Sequence, residues 1–343
     1  MRSIYLSKKG TGEEAFDIKE VEKPKPNASE VQIEVECFGL NFADVMSRRG
    51  LYGDAPKMPF VPGYEVVGKI REVGEGVGKD WLGKRVVAFT RFGGYSEYVT
   101  TPLMACAEIG DMVAGEAASI AVQYATAYYM AKDAINLHQG DIVMIHAGAG
   151  GVGTALIQLC KMQGCTVIAN AGSDEKLQYM LDQGADHVIN YRKEDYLDVI
   201  PTLTKGVRLA ATFNPIGGKT YKKDMKLIGA GGKVILFGGS ERIGKKWKGL
   251  ATFNFIRKMG LMMPIGLVMI SKSVMGVNML KIGDERPEIL RRCMENVITL
   301  VTNGKLKPYV GGRFKFDEIG KAHDLLESRK SIGKLVVFID KVD

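Results

Sequence analysis

The chain has 343 residues, of which 46% are hydrophobic and 25% charged, a length that predicts two ordinary domains and a composition that excludes disordered and fibrous classes. The formal charge is +8, yet lysines and arginines are dispersed and no basic run is interleaved with stacking aromatics, so nucleic acid is not expected and an anionic cofactor or substrate is. Five scattered cysteines, Cys37, Cys106, Cys160, Cys165 and Cys293, form no C-x-x-C pair and predict a reduced, cytoplasmic protein.

In chain order, Ser3 to Leu6 begins an alternating strand pattern at once, leaving no room for a signal peptide. Further short alternating segments at Val31 to Phe38, Gly63 to Val73, Arg85 to Phe89 and Tyr95 to Val99 are separated by glycine and proline signals, as in a compact, mostly β domain. From Gly115 to Lys132 the text is alanine-rich with apolar spacing and predicts a helix. Strand and helix patterns then alternate, with parallel strands expected at Asp141 to Ile145, Thr166 to Asn170, His187 to Asn190, Leu209 to Phe213 and Lys233 to Phe237. Gly260 to Met279 is apolar, but Pro264, Lys272 and several glycines interrupt it short of a membrane span. A helix is predicted from Pro287 to Asn303, and Lys334 to Ile339 returns to a strand pattern that suits the first domain. The expectation is an α/β chain: a mostly β domain of residues 1–121 and 305–343, and a doubly wound parallel-sheet (Rossmann) domain of residues 122–304.

The most informative stretch is Val143 to Leu159. A buried strand runs into Gly148-Ala149-Gly150-Gly151-Val152-Gly153, and a helix pattern follows. Gly148 permits the bend, Gly150 lets backbone approach a pyrophosphate, and Gly153 lets the helix pack on the strand. Unpaired N–H groups at the helix start then receive the anion. An NAD site usually has Asp or Glu at the end of the next strand, to accept from the ribose 2′-OH. Here Asn170-Ala171-Gly172-Ser173 stands instead, so NADP(H) is favoured, with Ser173 and Lys176 donating to a 2′-phosphate. The alternative is that Ser173 caps the next helix and Lys176 is a solvated lysine. Asp174 is expected in that helix's first turn.

With the dinucleotide domain second, the whole chain resembles the medium-chain dehydrogenase/reductase superfamily, whose GroES-like first domain holds the substrate. Zinc-dependent alcohol dehydrogenases of that superfamily carry G-x-C-H-T-D and, later, G-H-E. Here those places read Gly39-Leu40-Asn41-Phe42-Ala43-Asp44 and Gly63-Tyr64-Glu65, so Asn41 and Tyr64 replace thiolate and imidazole, and no metal is expected. Those segments, with Arg49-Gly50-Leu51-Tyr52, Pro59-x-x-Pro62, Tyr124-Ala125-Thr126-Ala127-Tyr128 and Ile189-Asn190-Tyr191, resemble the zinc-independent quinone oxidoreductase branch. The full-length pattern, including Phe253 to Leu280, is most similar to the vesicle amine transport protein homologue group. The resemblance implies that Thr126 contacts the nicotinamide side, Lys176 and Tyr191 hold the adenosine 2′-phosphate, Phe237 and Gly238 line the cofactor cleft, and Asn41 is an active-site polar residue. Relatives usually have Asp where Asn214 stands.

The expected activity is NADPH-dependent reduction of a small-molecule quinone or other α,β-unsaturated carbonyl. Such an acceptor is already electrophilic and needs a hydride donor at short range and a group to meet the developing negative oxygen. Asn41, Tyr52 and Tyr64 are the candidate donors, although either tyrosine could equally line a pocket wall. Asp44 is expected to orient groups near Asn41 or to cap the helix there, and His146 to pack in the core. Met262, Met263, Met269, Met275 and Met279 are expected in core packing and a subunit contact, with Val274 to Asn278 extending the sheet across a homodimer; an apolar substrate wall is the alternative. The competing function is a non-catalytic NADP-binding or lipid-handling protein.

Overall fold

A computed structural model describes residues 1–242, 254, 257–260 and 263–340. Its internal contacts divide into two units, Met1–Thr126 with Met279–Asp343, and Ala127–Asn278.

In the first unit, strands β1 (Arg2–Leu6) and β2 (Phe16–Glu20) pair antiparallel. The main sheet is organised on β3 (Glu30–Leu40), which pairs antiparallel with β4 (Glu65–Val73), β6 (Tyr98–Pro102) and the C-terminal β15 (Lys334–Phe338). Outward from these lie β5 (Arg85–Phe89) and β7 (Cys106–Glu108) on one side and β14 (Val310–Lys315) on the other. Val31, Ile33 and Val35 alternate into the core with Val66, Ile70, Tyr95 and Leu335, as a period of two requires. Every residue of β15 is buried, and the strand lies against β3 in the first unit's sheet.

Two segments differ from the sequence expectation. The predicted helix Gly115 to Lys132 is an α-turn at Ala114–Ala117 followed by π-helical Ile120–Tyr124, α-helical Ala125–Tyr128 and π-helical Tyr129–Asp133. A carboxylate oxygen of Glu65 takes the Val122 N–H at 2.8 Å, and a side chain inserted into the helical ladder widens it locally. The helix Pro287–Thr302, expected in the dinucleotide domain, packs on Ile120–Tyr124 and on β7. Its buried stripe Leu290, Cys293, Met294 and Val297 is the a/d-like face of one amphipathic helix, and it groups residues 279–304 with the first unit.

The second unit is a doubly wound parallel sheet of β8 (Ile142–Ile145), β9 (Thr166–Ala171), β10 (His187–Asn190), β11 (Leu209–Asn214), β12 (Ile228–Leu236) and β13 (Ser273–Gly276). The spatial order is β10-β9-β8-β11-β12-β13, which reverses direction between β8 and β11. Ligands of such sheets bind beyond the carboxyl ends of the strands at that point. Phe253 and Met262 lie outside the described residues. Met279 is buried, but Met263 is 62% and Met269 81% exposed, so the core-packing expectation does not extend to those two. Among the described residues no helix is long and apolar enough to cross a membrane.

A side chain at Gly68 would meet the Glu34 carbonyl oxygen across the β3–β4 pair. Gly68→Ala is expected to cost about 3 kcal/mol, read as a fall in the thermal unfolding midpoint; an unchanged midpoint would contradict this packing.

Candidate functional site

In the first unit, the helix Phe42–Arg48 starts at Asn41. The Asp44 carboxylate accepts the Asn41 backbone N–H at 2.8 Å, reaching back as in a capping box. The Asn41 amide makes other bonds. Its Nδ2 donates to Glu65 Oε1 at 2.8 Å and its Oδ1 accepts from Lys334 Nζ at 3.1 Å. Lys334 also pairs directly with Glu65, and both side chains are essentially unexposed. Glu65 thus gathers Asn41, Lys334 and the Val122 N–H, the satisfaction that a buried charge pair needs. Gly39 makes room, because a Cβ there would strike the Lys334 side chain.

Tyr64 is 3% exposed, and its hydroxyl has no hydrogen-bond partner among the described residues. Its ring meets Tyr52 edge-on at 6.0 Å and Phe92 at 5.1 Å. Tyr52 is only partly buried; burial, reinforced by Asp54, pushes its phenol up to about 12. Burial also raises Tyr64, with Asp44 adding to the effect. Both phenols therefore keep their protons near neutrality and act as donors, not bases. Asn41, Tyr64 and Tyr52 fall in one unit, as does Thr126, which is buried in the Ala125–Tyr128 segment. The donor set at the two positions of the zinc motif is an amide, already engaged at both ends, and a protonated phenol, with the Lys334 ammonium against the same carboxylate. It does not fit Zn²⁺, which takes thiolate, imidazole or carboxylate. Among the described residues no group of three or more His, Cys, Asp or Glu is placed to hold a metal.

In the second unit, β8 ends at Ile145 and the chain turns through Ala147, which is left-handed at φ 53°. The helix Gly151–Met162 follows, with Gly150 extended at its N-cap and no side chain capping it. The N–H groups of Gly151, Val152 and Gly153 belong to the first helical turn, whose donors have no intrahelical acceptor. A Cβ at Gly153 would press on the Ala147 carbonyl oxygen, and one at Gly148 would lie 2.6 Å from Met180 Sδ, whereas Gly150 faces open space apart from the Ala147 oxygen at 3.4 Å. Two glycines are there for packing and one for access. Ala149 is buried within this turn. The arrangement fits a dinucleotide pyrophosphate.

Beyond β9, Gly172 is overhung by two side chains: a Cβ there would lie 2.5 Å from the Tyr191 hydroxyl and 3.3 Å from Arg192 Nε. Lys176 belongs to the helix Glu175–Asp182, whose N-cap position is Asp174, not Ser173. The Lys176 ammonium is lowered by burial and then by the nearby positive charge of Arg192. Asp174, the one acid between β9 and that helix, is bound to Asn190 and Lys193. Arg192 was missed by the sequence reading; its signal was a second cation directly after Tyr191. Phe237 and Gly238 follow β12, with Phe237 N–H donating to the Asn214 carbonyl at 3.2 Å. His146 is 1% exposed and hydrogen-bonded to Asp224, a core position with polar partners.

Burial pushes the Asp44 carboxyl from an ordinary 3.8 up to about 7, against the pull of the Asn41 N–H and Lys334. The folded chain therefore keeps a proton that the unfolded chain releases, and the stability this confers is present below the unfolded value and lost as pH rises through the folded one. Between pH 3.8 and about 7, the unfolding midpoint of the unsubstituted chain should fall relative to that of Asp44→Asn. A gap constant with pH would contradict the assignment. Breaking the buried pair by Lys334→Met should cost about 3–5 kcal/mol, more than removing both charges in Glu65→Gln with Lys334→Met; calorimetric midpoints that ranked the other way would refute it.

Residues 151–293 match the family described as zinc-binding dehydrogenase, and residues 27–111 the alcohol dehydrogenase GroES-like domain. The chain is 32% identical to the synaptic vesicle membrane protein VAT-1 homolog of Rattus norvegicus over 92% of its own length and 78% of that protein's. It is 28% identical to the quinone oxidoreductase of the same species, over 99% of this chain and 98% of that one. The Escherichia coli quinone oxidoreductase, solved in complex with NADPH, superposes with a TM-score of 0.87 at 26% identity, covering 99% of this chain and 100% of that one. With its GroES-like unit, its doubly wound unit and these relatives, the chain belongs to the medium-chain dehydrogenase/reductase superfamily, among the VAT-1 homologues and quinone oxidoreductases.

Proposed function

We infer that the protein is an NADPH-dependent reductase of quinones or other α,β-unsaturated carbonyls that works without a metal. The observation that carries this reading is the pairing of an open glycine turn with a cationic adenosine end that has no acid on its strand. The turn Gly148, Ala149, Gly150, Gly151, Val152 and Gly153 receives the pyrophosphate, with the first-turn N–H groups of Gly151, Val152 and Gly153 as its donors and Gly148, Ala149 and Gly150 shaping the approach. Lys176 and Arg192 are close enough for one charge to depress the other, and a 2′-phosphate between them relieves that repulsion. Ser173 and Tyr191 add hydroxyl donors, Thr126 serves the nicotinamide side, and Phe237 and Gly238 the cofactor wall.

Bound NADPH supplies a hydride. The chain's own contribution is to meet the charge that develops on the acceptor oxygen. Tyr52, the more accessible of the two paired phenols, donates to that oxygen; Tyr64 buttresses its ring; Asn41 offers its remaining amide N–H while Glu65 and Lys334 hold it in place. A metal-free site is supported by that donor set, and by an acceptor class that needs no Lewis acid. A homodimer is supported by Val268 at 74% and Met269 at 81% exposure on the helix Pro264–Ile270, which precedes the edge strand β13 in sequence, and light scattering tests it.

Steady-state oxidation of NADPH with naphthoquinones, phenanthrenequinone and alkenals tests the reading. Turnover that survives exhaustive chelation is expected. NADPH binding with no acceptor reduced above background would overturn it in favour of a non-catalytic NADP-binding or lipid-handling protein, the role that the VAT-1 relatives keep open. Lys176→Ala should raise the Kd for NADPH about ten- to a hundredfold while leaving NADH nearly unchanged; an equal change for both would refute the 2′-phosphate assignment. Tyr52→Phe should lower kcat/KM about a hundredfold without altering NADPH affinity.

A further inference from the structure

Beneath the glycine turn lies a hydrogen-bonded chain that the turnover chemistry does not use. Asp224, on the helix Lys219–Leu227, is 0% exposed. Among the described residues its carboxylate accepts from four side chains: His146 Nε2 at 2.9 and 3.1 Å, the Tyr196 hydroxyl at 3.1 Å, Thr212 Oγ1 at 3.2 Å and Asn214 Nδ2 at 2.6 Å. On the far side of the imidazole, Asn170 Nδ2 lies 3.1 Å from His146 Nδ1. Asn170 Oδ1 in turn accepts the backbone N–H of Ala147 at 3.2 Å, and its carbonyl accepts that of Gly148 at 2.9 Å.

The direction of every bond follows from the two ends. The Ala147 N–H can only donate, so Asn170 must turn its oxygen to it and its NH₂ to His146. Nδ1 is then an acceptor and Nε2 carries the proton that Asp224 receives. Asn214 is fixed as strictly: its oxygen takes the N–H groups of Ile216 and Gly217 at 2.8 and 2.9 Å, leaving its NH₂ for Asp224. A carboxylate at 214 would face the Asp224 carboxylate, so the amide suits this position.

We propose that Asp224 is a positioning residue for the dinucleotide turn, holding the left-handed Ala147 and Gly148 in their binding geometry through His146 and Asn170. The proposal rests on the reading of Gly148 to Gly153 as the pyrophosphate site. In Asp224→Asn, one orientation of the new amide sets two NH₂ groups against each other at Asn214, and the other sets an NH₂ against His146 Nε2–H. Shifting the imidazole proton to Nδ1 only moves the conflict to Asn170, and flipping Asn170 moves it to the Ala147 N–H. The mismatch therefore travels to the turn. Adding Asn214→Asp cures it: the new carboxylate accepts from the NH₂ of the amide at position 224, keeps the Ile216 and Gly217 N–H bonds, and leaves that amide's oxygen for His146.

The test is NADPH affinity of the full chain by fluorescence titration, well below the unfolding midpoint of each variant. Asp224→Asn should weaken binding about tenfold, the scale of coupling within one buried network. The double variant with Asn214→Asp should recover most of that loss. Ile200→Val, a change in the same core cluster outside the hydrogen-bonded chain, should lower the unfolding midpoint without changing affinity. Affinity that falls in step with the midpoint in all three, or a double variant bound as weakly as the single, overturns the proposal. Long-range histidine ¹⁵N spectra need no cofactor and remain decisive should Asp224→Asn fail to fold: the unsubstituted chain must show His146 as the Nε2–H tautomer, and an Nδ1–H signal overturns the proposal. A chain with the expected tautomer that binds no dinucleotide instead defeats the functional reading.

Discussion

There is no space for a side chain between Gly153 and the Ala147 carbonyl oxygen, and the second unit's function follows from that contact. It brings the helix Gly151–Met162 against the turn that leaves β8, where Ala147 holds a left-handed backbone conformation that an L residue occupies only when its surroundings enforce it. The enforcing groups are the Asn170 side chain and backbone, backed by His146 and Asp224. The helix start is thereby presented with its donors uncapped at the point where the parallel sheet reverses order, the geometry that carries the proposed pyrophosphate site.

A second buried charge does comparable work in the first unit. Glu65 gathers the amide of Asn41, the ammonium of Lys334 and a backbone N–H of a π-helical turn. This occupies with an ion pair the neighbourhood where zinc-dependent members of the superfamily place metal ligands. The consequence is chemical as well as structural. In the metal-free reading proposed above, hydrogen-bond donors are what this site offers, and the raised phenols of Tyr52 and Tyr64 keep those donors protonated. An acceptor activated by its own conjugation is the substrate class that such a site can serve.

How much of this was legible in the sequence depended on how local each signal is. The turn, its flanking strand and helix, and the parallel strands follow from glycine spacing and apolar periodicity within windows of a few residues, and all are in the structure. The absence of an acid at the end of β9 was equally readable. Lys334 was not, because its partner Glu65 is 269 residues away in sequence, and a lysine heading an apolar strand looks like a solvated end. Asp224 was hidden in a lysine-rich helix, although its spacing from Tyr221 and Leu227 places it on the buried face. The π-helical turns at Ile120–Tyr124 and Tyr129–Asp133 left no trace in an alanine-rich text, since the cause at Val122 is a tertiary bond to Glu65. The helix Pro287–Thr302 was recognised as a helix, but periodicity does not say which unit its stripe will face.

The turn at Gly148 to Gly153 and the cationic end at Lys176 and Arg192 are proposed to form one NADP(H) site. Calorimetric titration of metal-stripped protein with NADPH and with NADH tests it most directly. One NADPH is expected to bind per chain, at least about tenfold more tightly than NADH, since a phosphate held by charged donors is worth about 1.5–3 kcal/mol. Equal or tighter binding of NADH, or no binding until zinc is restored, would contradict it.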